Sequence, residues 1–128
     1  MTERQKPYGK KHIYPIEPVA KPRQTRRDKW LNPPRKPVQK YRWFCELVRK
    51  YQVELPLSGA CVTFKIPMPE SWSEKKKAAM NGLPHDGKGD VDNFLKALLD
   101  AIFDNDKDVW DVRIRKVWAK TGSIEIEV

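Results

Sequence analysis

The strongest pattern in the chain is a stripe of apolar residues: Val91, Phe94, Leu95, Leu98, Leu99, Ile102 and Phe103. They recur at the i, i+3, i+4, i+7 spacing of one helical face and predict a core-facing helix from Val91 to Phe103. A second helical pattern, Tyr41, Phe44, Cys45, Val48 and Tyr51, predicts a helix over Val38 to Gln52, with Pro37 suited to its start. Elsewhere the period is two. Ala60, Val62, Phe64 and Ile66 alternate with Cys61, Thr63 and Lys65, and this strand stops at Pro67-Met68-Pro69. Over Val109 to Ala119, the residues Trp110, Val112, Ile114 and Trp118 share one face with Lys116, and Ile124, Ile126 and Val128 alternate with Ser123, Glu125 and Glu127. The tight turn at Thr121-Gly122 predicts that these last two strands form an antiparallel hairpin. His12 to Val19 has short strand character, which Pro15 and Pro18 confine to an edge. Ser71 or Ser73 is placed to cap a short helix running to Met80.

The resulting order, β-α-β-(α)-α-β-β, describes a small single α/β domain with a mixed sheet packed against helices. It would occupy residues 12–128, behind a basic N-terminal arm over residues 1–11 that is expected to be disordered or partly ordered. A length of 128 residues suits one domain with one core. No apolar run is long enough to cross a membrane, and the first residues lack the apolar stretch of a secretory signal. Cys45 and Cys61 lack metal-ligand spacing and read as buried, reduced thiols. A cytoplasmic protein is expected.

Charge changes the picture. The net charge is +9, but residues 1–52 hold 15 Lys and Arg against 4 Asp and Glu, whereas residues 53–128 hold 11 against 13. A basic half favours a polyanion, and nucleic acid is the usual one. An acidic membrane would call for a basic amphipathic helix or a lipidation signal, and neither is evident. The loop from residue 20 to 37 carries Arg23, Arg26, Arg27 and Lys29 beside Trp30, with Asp28 its one acid. Guanidinium forks match phosphate oxygens, and an aromatic ring can stack on an unpaired base. Lys75, Lys76 and Lys77 form a run on the short helix, and Lys88 lies just before the long one. These eight basic side chains are the candidate DNA contacts. The plainer reading of each is a solvated surface charge.

Against this basic background, residues 86–111 hold 8 of the chain's 17 acids. Carboxylates this close repel, and a hard divalent cation is the simplest remedy. Asp90 and Asp92 flank the start of the central helix, where free backbone N–H groups and the helix dipole favour anions. Lys96 follows Asp92 by one turn, placed to meet a phosphate oxygen, and Asp100 continues the same row. Asp104, Asp106 and Asp108 come from the loop beyond the helix's other end. They reach its start only if strand pairing carries them back. With Mg²⁺ on the carboxylates, hydrolysis of a phosphodiester is the natural chemistry. No serine, cysteine or histidine constellation offers a nucleophile, and His85 reads as a loop residue. Asp104-x-Asp106-x-Asp108 opens like a calcium loop, but Val109 and Arg115 stand where that loop needs Gly and Glu. The bland reading of Asp90 and Asp92 is helix capping alone.

The run Asp90-Val91-Asp92-Asn93-Phe94-Leu95-Lys96-Ala97-Leu98-Leu99-Asp100-Ala101, followed by Asn105-Asp106 and Val109, resembles the RusA family of Holliday junction resolvases. The likeness reaches upstream through Phe64–Pro69 and Arg23–Trp30 toward phage and prophage members. It implies a homodimeric endonuclease dependent on Mg²⁺, or on Mn²⁺ in its place, that binds four-way DNA junctions by shape and nicks two strands symmetrically. It implies catalytic and metal-binding roles for Asp90, Asp92 and Asp106, and a catalytic role for Lys96. Gly89 stands where many members have proline, and Asn105 where others have a second aspartate. A less selective Mg²⁺ nuclease for branched DNA and a non-catalytic DNA-binding module are the alternatives.

Overall fold

The computed structural model describes residues 10–23, 30, 32–33, 35–105 and 107–128. Strands β1 (Lys11–Tyr14), β2 (Ser58–Pro67), β3 (Asp111–Ala119) and β4 (Ser123–Glu127) form one mixed sheet in the order β1-β4-β2-β3. Helices α1 (Lys36–Lys50), α2 (Glu74–Met80) and α3 (Val91–Ile102) complete the domain. The α/β class and the element order are as the periodicities predict.

The hairpin is not. β3 pairs with β2 in parallel, and β4 pairs with β2 antiparallel on its other side. The strand between them is the most apolar one: Ala60, Val62 and Phe64 are buried on one face and Thr63 on the other. Such a strand belongs at the sheet centre, where both faces and both edges are covered. β2 therefore sits between β3 and β4, which are consecutive in the chain. Ala119 lies beside Pro67, Ser123 lies beside Lys65, and the three residues between step over the end of β2. Gly122 allows this step, because a Cβ there would come within 2.9 Å of the Glu17 backbone.

The core lies between the sheet and α1 and α3. Val38, Tyr41, Phe44 and Val48 face inward from α1, and Phe94, Ala97, Leu98 and Leu99 from α3. All but Val38 share one core cluster with Val62, Phe64, Ile124 and Ile126 of the sheet. α1 begins two residues before the predicted start, because proline fits the first helical turn, where no N–H is needed. Ser73 caps α2 by accepting a hydrogen bond from the Lys76 backbone N–H at 3.1 Å. Between β1 and residue 23 the chain runs as a strap over the start of α3. Ile16 is fully buried, and the Lys21 N–H donates to the Asn93 carbonyl at 3.1 Å.

The loop before α3 is fastened to the outer edge of β3. Gly82 N–H donates to the Trp118 carbonyl (2.8 Å), Trp118 N–H to the Leu83 carbonyl (2.9 Å) and His85 N–H to the Lys116 carbonyl (3.1 Å). His85 is a loop residue, as expected, but a buried one. Its side chain is buried, with its ring centroid 4.3 Å from that of Trp118 and an edge-on contact to Phe94 at 6.3 Å. Trp72 extends this cluster, with its ring centroid 4.9 Å from that of Trp118.

Two predictions follow from this packing. Phe64 is fully buried, with its ring 5.7 Å from that of Phe94, so Phe64→Ala leaves a cavity at the sheet–helix junction. Urea unfolding is expected to read a loss of about 3–5 kcal/mol. Burial, reinforced by the positive charge of Lys116, holds the His85 imidazole below its ordinary value of 6.5. The unfolded chain then binds more protons than the folded one as pH falls below 6.5, so stability drops in that window. His85→Gln should flatten that part of a stability–pH curve, and an unchanged slope would contradict the assignment. A separate loss at lower pH belongs to Glu125. Burial alone would raise its carboxyl, but Lys65 and Lys11 outweigh that and hold it below 4.5.

Candidate metal and nucleic-acid site

The start of α3 is built from backbone outward. Gly89 has φ +102°, a conformation proline cannot adopt and other residues adopt only under strain. A Cβ at this position would lie 2.7 Å from the Phe94 ring. The Gly89 carbonyl accepts a hydrogen bond from Lys116 Nζ at 2.7 Å. Lys116 is the charged member of the apolar face of β3, and that odd position in the alternation was its signal in the sequence. The contact pins the residue before Asp90 to the sheet.

Asp90 is the N-cap residue of α3, in an extended backbone conformation (φ −77°, ψ 149°), yet its side chain makes no capping hydrogen bond. Its carbonyl instead accepts from the N–H groups of Asn93 (3.0 Å) and Phe94 (3.2 Å). Capping alone therefore does not account for this carboxylate. Asp92, in the first turn, accepts at 3.0 Å from the neighbouring Asn93 N–H. Both aspartates are exposed. Two carboxylates beside a helix N-terminus form an open, anion-stabilised pair, and the donor set suits a hard cation that keeps water and phosphate as its remaining ligands.

Lys96 lies one turn further on, about half exposed, with Nζ 3.1 Å from Asp100 Oδ1. The other oxygen of Asp100 is 3.0 Å from Lys21 Nζ. Lys21 also donates to the Tyr41 hydroxyl at 3.0 Å and sits 4.2 Å from that ring's centroid. Burial alone would raise the Asp100 carboxyl, but the hydrogen bonds from Lys21 and Lys96 outweigh it and hold the group below its ordinary 3.8. No spacing along the chain marks Lys21 as a partner here, because its contact depends on where the strap crosses α3.

Asp106, Arg26, Arg27 and Lys29 lie outside the described residues. Among the described residues, no three His, Cys, Asp or Glu side chains converge as a metal-binding group. Asp104 and Asp108 are exposed in the loop beyond the other end of α3, a helix about 18 Å long. Arg23 is exposed, and its carbonyl accepts from Arg35 at 2.9 Å. Lys75 is exposed on α2, Lys76 stands 4.2 Å over the Trp72 ring, and Lys77 reaches Glu74 at 4.0 Å. Lys88 is exposed two residues before Asp90. Trp30 is 81% exposed, as an aromatic available for stacking must be. The apolar groove of about 540 Å³ lined by Tyr14, Val53, Leu55, Ile102, Phe103 and Ile126 includes none of the candidate residues.

A search among curated proteins finds no match. A family model described as endodeoxyribonuclease RusA matches residues 15–128, from the strap through the sheet, α3 and the final strand. By that match over nearly its whole length, the chain belongs to the RusA endodeoxyribonuclease family.

Proposed function

We propose that the protein is a metal-dependent, structure-specific endodeoxyribonuclease that resolves four-way DNA junctions by paired symmetric nicks. The observation that carries the reading is the Asp90–Asp92 pair: two exposed carboxylates at a helix start, one of them in the capping position without capping. Asp90 and Asp92, with Asp106 as a third acid, would hold Mg²⁺, which when bound lowers the pKa of a coordinated water and offsets charge gathering on the phosphate.

The chain's own groups supply the rest. The positive end of the α3 dipole and the Lys96 ammonium face an incoming phosphodiester with positive potential. Lys116 keeps the Asp90 backbone fixed through Gly89, so the carboxylates do not have to be reorganised when substrate arrives. Lys75, Lys76, Lys77 and Lys88, with Arg23, Arg26, Arg27 and Lys29, hold flanking phosphates and add affinity that falls with salt. A four-way junction presents two symmetry-related cleavage points. A two-fold homodimer meets them with two matching sites.

Asp90→Asn and Asp92→Asn should each cut cleavage by roughly 10²–10³-fold, the size of losing one preorganised charge-stabilising group. Junction affinity, read by gel shift without metal, should hold or tighten, since a negative charge beside phosphate is removed. Wild-type cleavage by Asp92→Asn in Mg²⁺ would remove the basis for the metal site. Four-way, three-way and linear duplex substrates, mapped on every strand, test selectivity. Paired nicks on the four-way junction are expected. Equal cutting of all three substrates would favour a less selective nuclease, and no cutting of any would favour a binding module.

A further inference from the structure

Lys96 has a carboxylate one helical turn away on each side, Asp92 behind it and Asp100 ahead. Residues four apart on a helix are neighbours, and an acid placed N-terminal to a lysine makes the better pair. Local helix physics would therefore draw Lys96 toward Asp92. An ammonium seated there would cancel the charge that a cation needs and occupy its lone pairs. The structure instead places Lys96 Nζ 3.1 Å from Asp100 Oδ1. Asp100 is held from its other side by Lys21 at 3.0 Å, and Lys21 is in turn held by Tyr41 of α1. Asp100 is more enclosed than Lys96, with 26% of its side chain exposed against 52%. The carboxylate is thus the fixed partner, and the lysine is the one drawn to it.

We propose that Asp100 is a positioning residue: anchored by Lys21 and Tyr41, it draws Lys96 along α3 away from Asp92 and keeps the Asp92 carboxylate open to metal. The inference rests on the metal-site reading above. The plainer role for Asp100 is to tie the strap to α3 through Lys21, and the experiment must separate the two.

The test is a titration of the protein with Mn²⁺ alone, followed by the electron paramagnetic resonance of free Mn²⁺, at moderate salt to screen long-range charge effects. Asp100→Asn is expected to weaken Mn²⁺ binding about three- to tenfold, more than the about twofold worth of a bare helical pair because the anchored partner is lost. In a Lys96→Met background no ammonium is left to move, so Asp100→Asn should then change binding by less than about twofold. An equal loss in both backgrounds would overturn the proposal. Lys21→Met gives a second reading that leaves Asp100 and α3 intact. Without its anchor Asp100 keeps its charge but holds Lys96 less firmly, so Mn²⁺ binding should fall by clearly less than in Asp100→Asn, and by less than about twofold in the Lys96→Met background. A loss as large as that of Asp100→Asn would mean that the cluster serves only to join strap and helix. If the wild-type protein bound no Mn²⁺ at millimolar concentration, the metal-site reading itself would fail, an outcome distinct from the others.

Discussion

Burial of Phe94, Ala97 and Leu98 in the core sets the rotation of α3 about its axis, and the candidate chemistry depends on that setting. A helix with so broad an apolar face has one orientation that hides it. In that orientation the row Asp92, Lys96, Asp100 must run along the edge of the buried stripe, partly wet and partly covered. A quarter-turn either way would drown the carboxylates in the core or strand them in bulk water, where they could not share partners with the strap. Gly89 and Lys116 then fix where the helix begins, as the stripe fixes which way it faces.

The acids of the central stretch do not behave as one group. Asp100 is neutralised by two lysines on opposite oxygens, and Glu125, on the other side of the sheet, is likewise held between Lys65 and Lys11. These are internal ion pairs, and their depressed carboxyl values report it. Asp90 and Asp92 have no lysine partner among the described residues' ion pairs; they are left facing solvent at the positive end of a helix dipole. The division is one of geometry rather than of composition.

That division explains how far the sequence could be read. The α3 stripe was legible because seven apolar residues keep one period over thirteen positions, and the aspartates at its start followed from that boundary. The Ser73 cap was legible for the same local reason. What failed was non-local. Thr121-Gly122 has the composition of a hairpin turn, but turn composition does not reveal that a third strand will insert between the two it joins. His85 read only as a loop residue, and nothing in its neighbours Asp86 and Gly87 marks it as buried. Its burial comes from Trp118, more than thirty positions away, and from the pairing of its own backbone with β3. Lys21 is the same kind of case, since its place beside Asp100 depends on the path of the strap.

The backbone pairing between residues 82–85 and the outer side of β3 has a consequence for the behaviour of the protein at high concentration. An open strand edge is a template on which another chain can add a strand and begin an ordered aggregate. Here the Lys116–Trp118 part of that side is occupied, and β1 on the opposite side is only four residues long and followed at once by Pro15. The sheet is therefore blocked over the Lys116–Trp118 part of one margin and curtailed along the other.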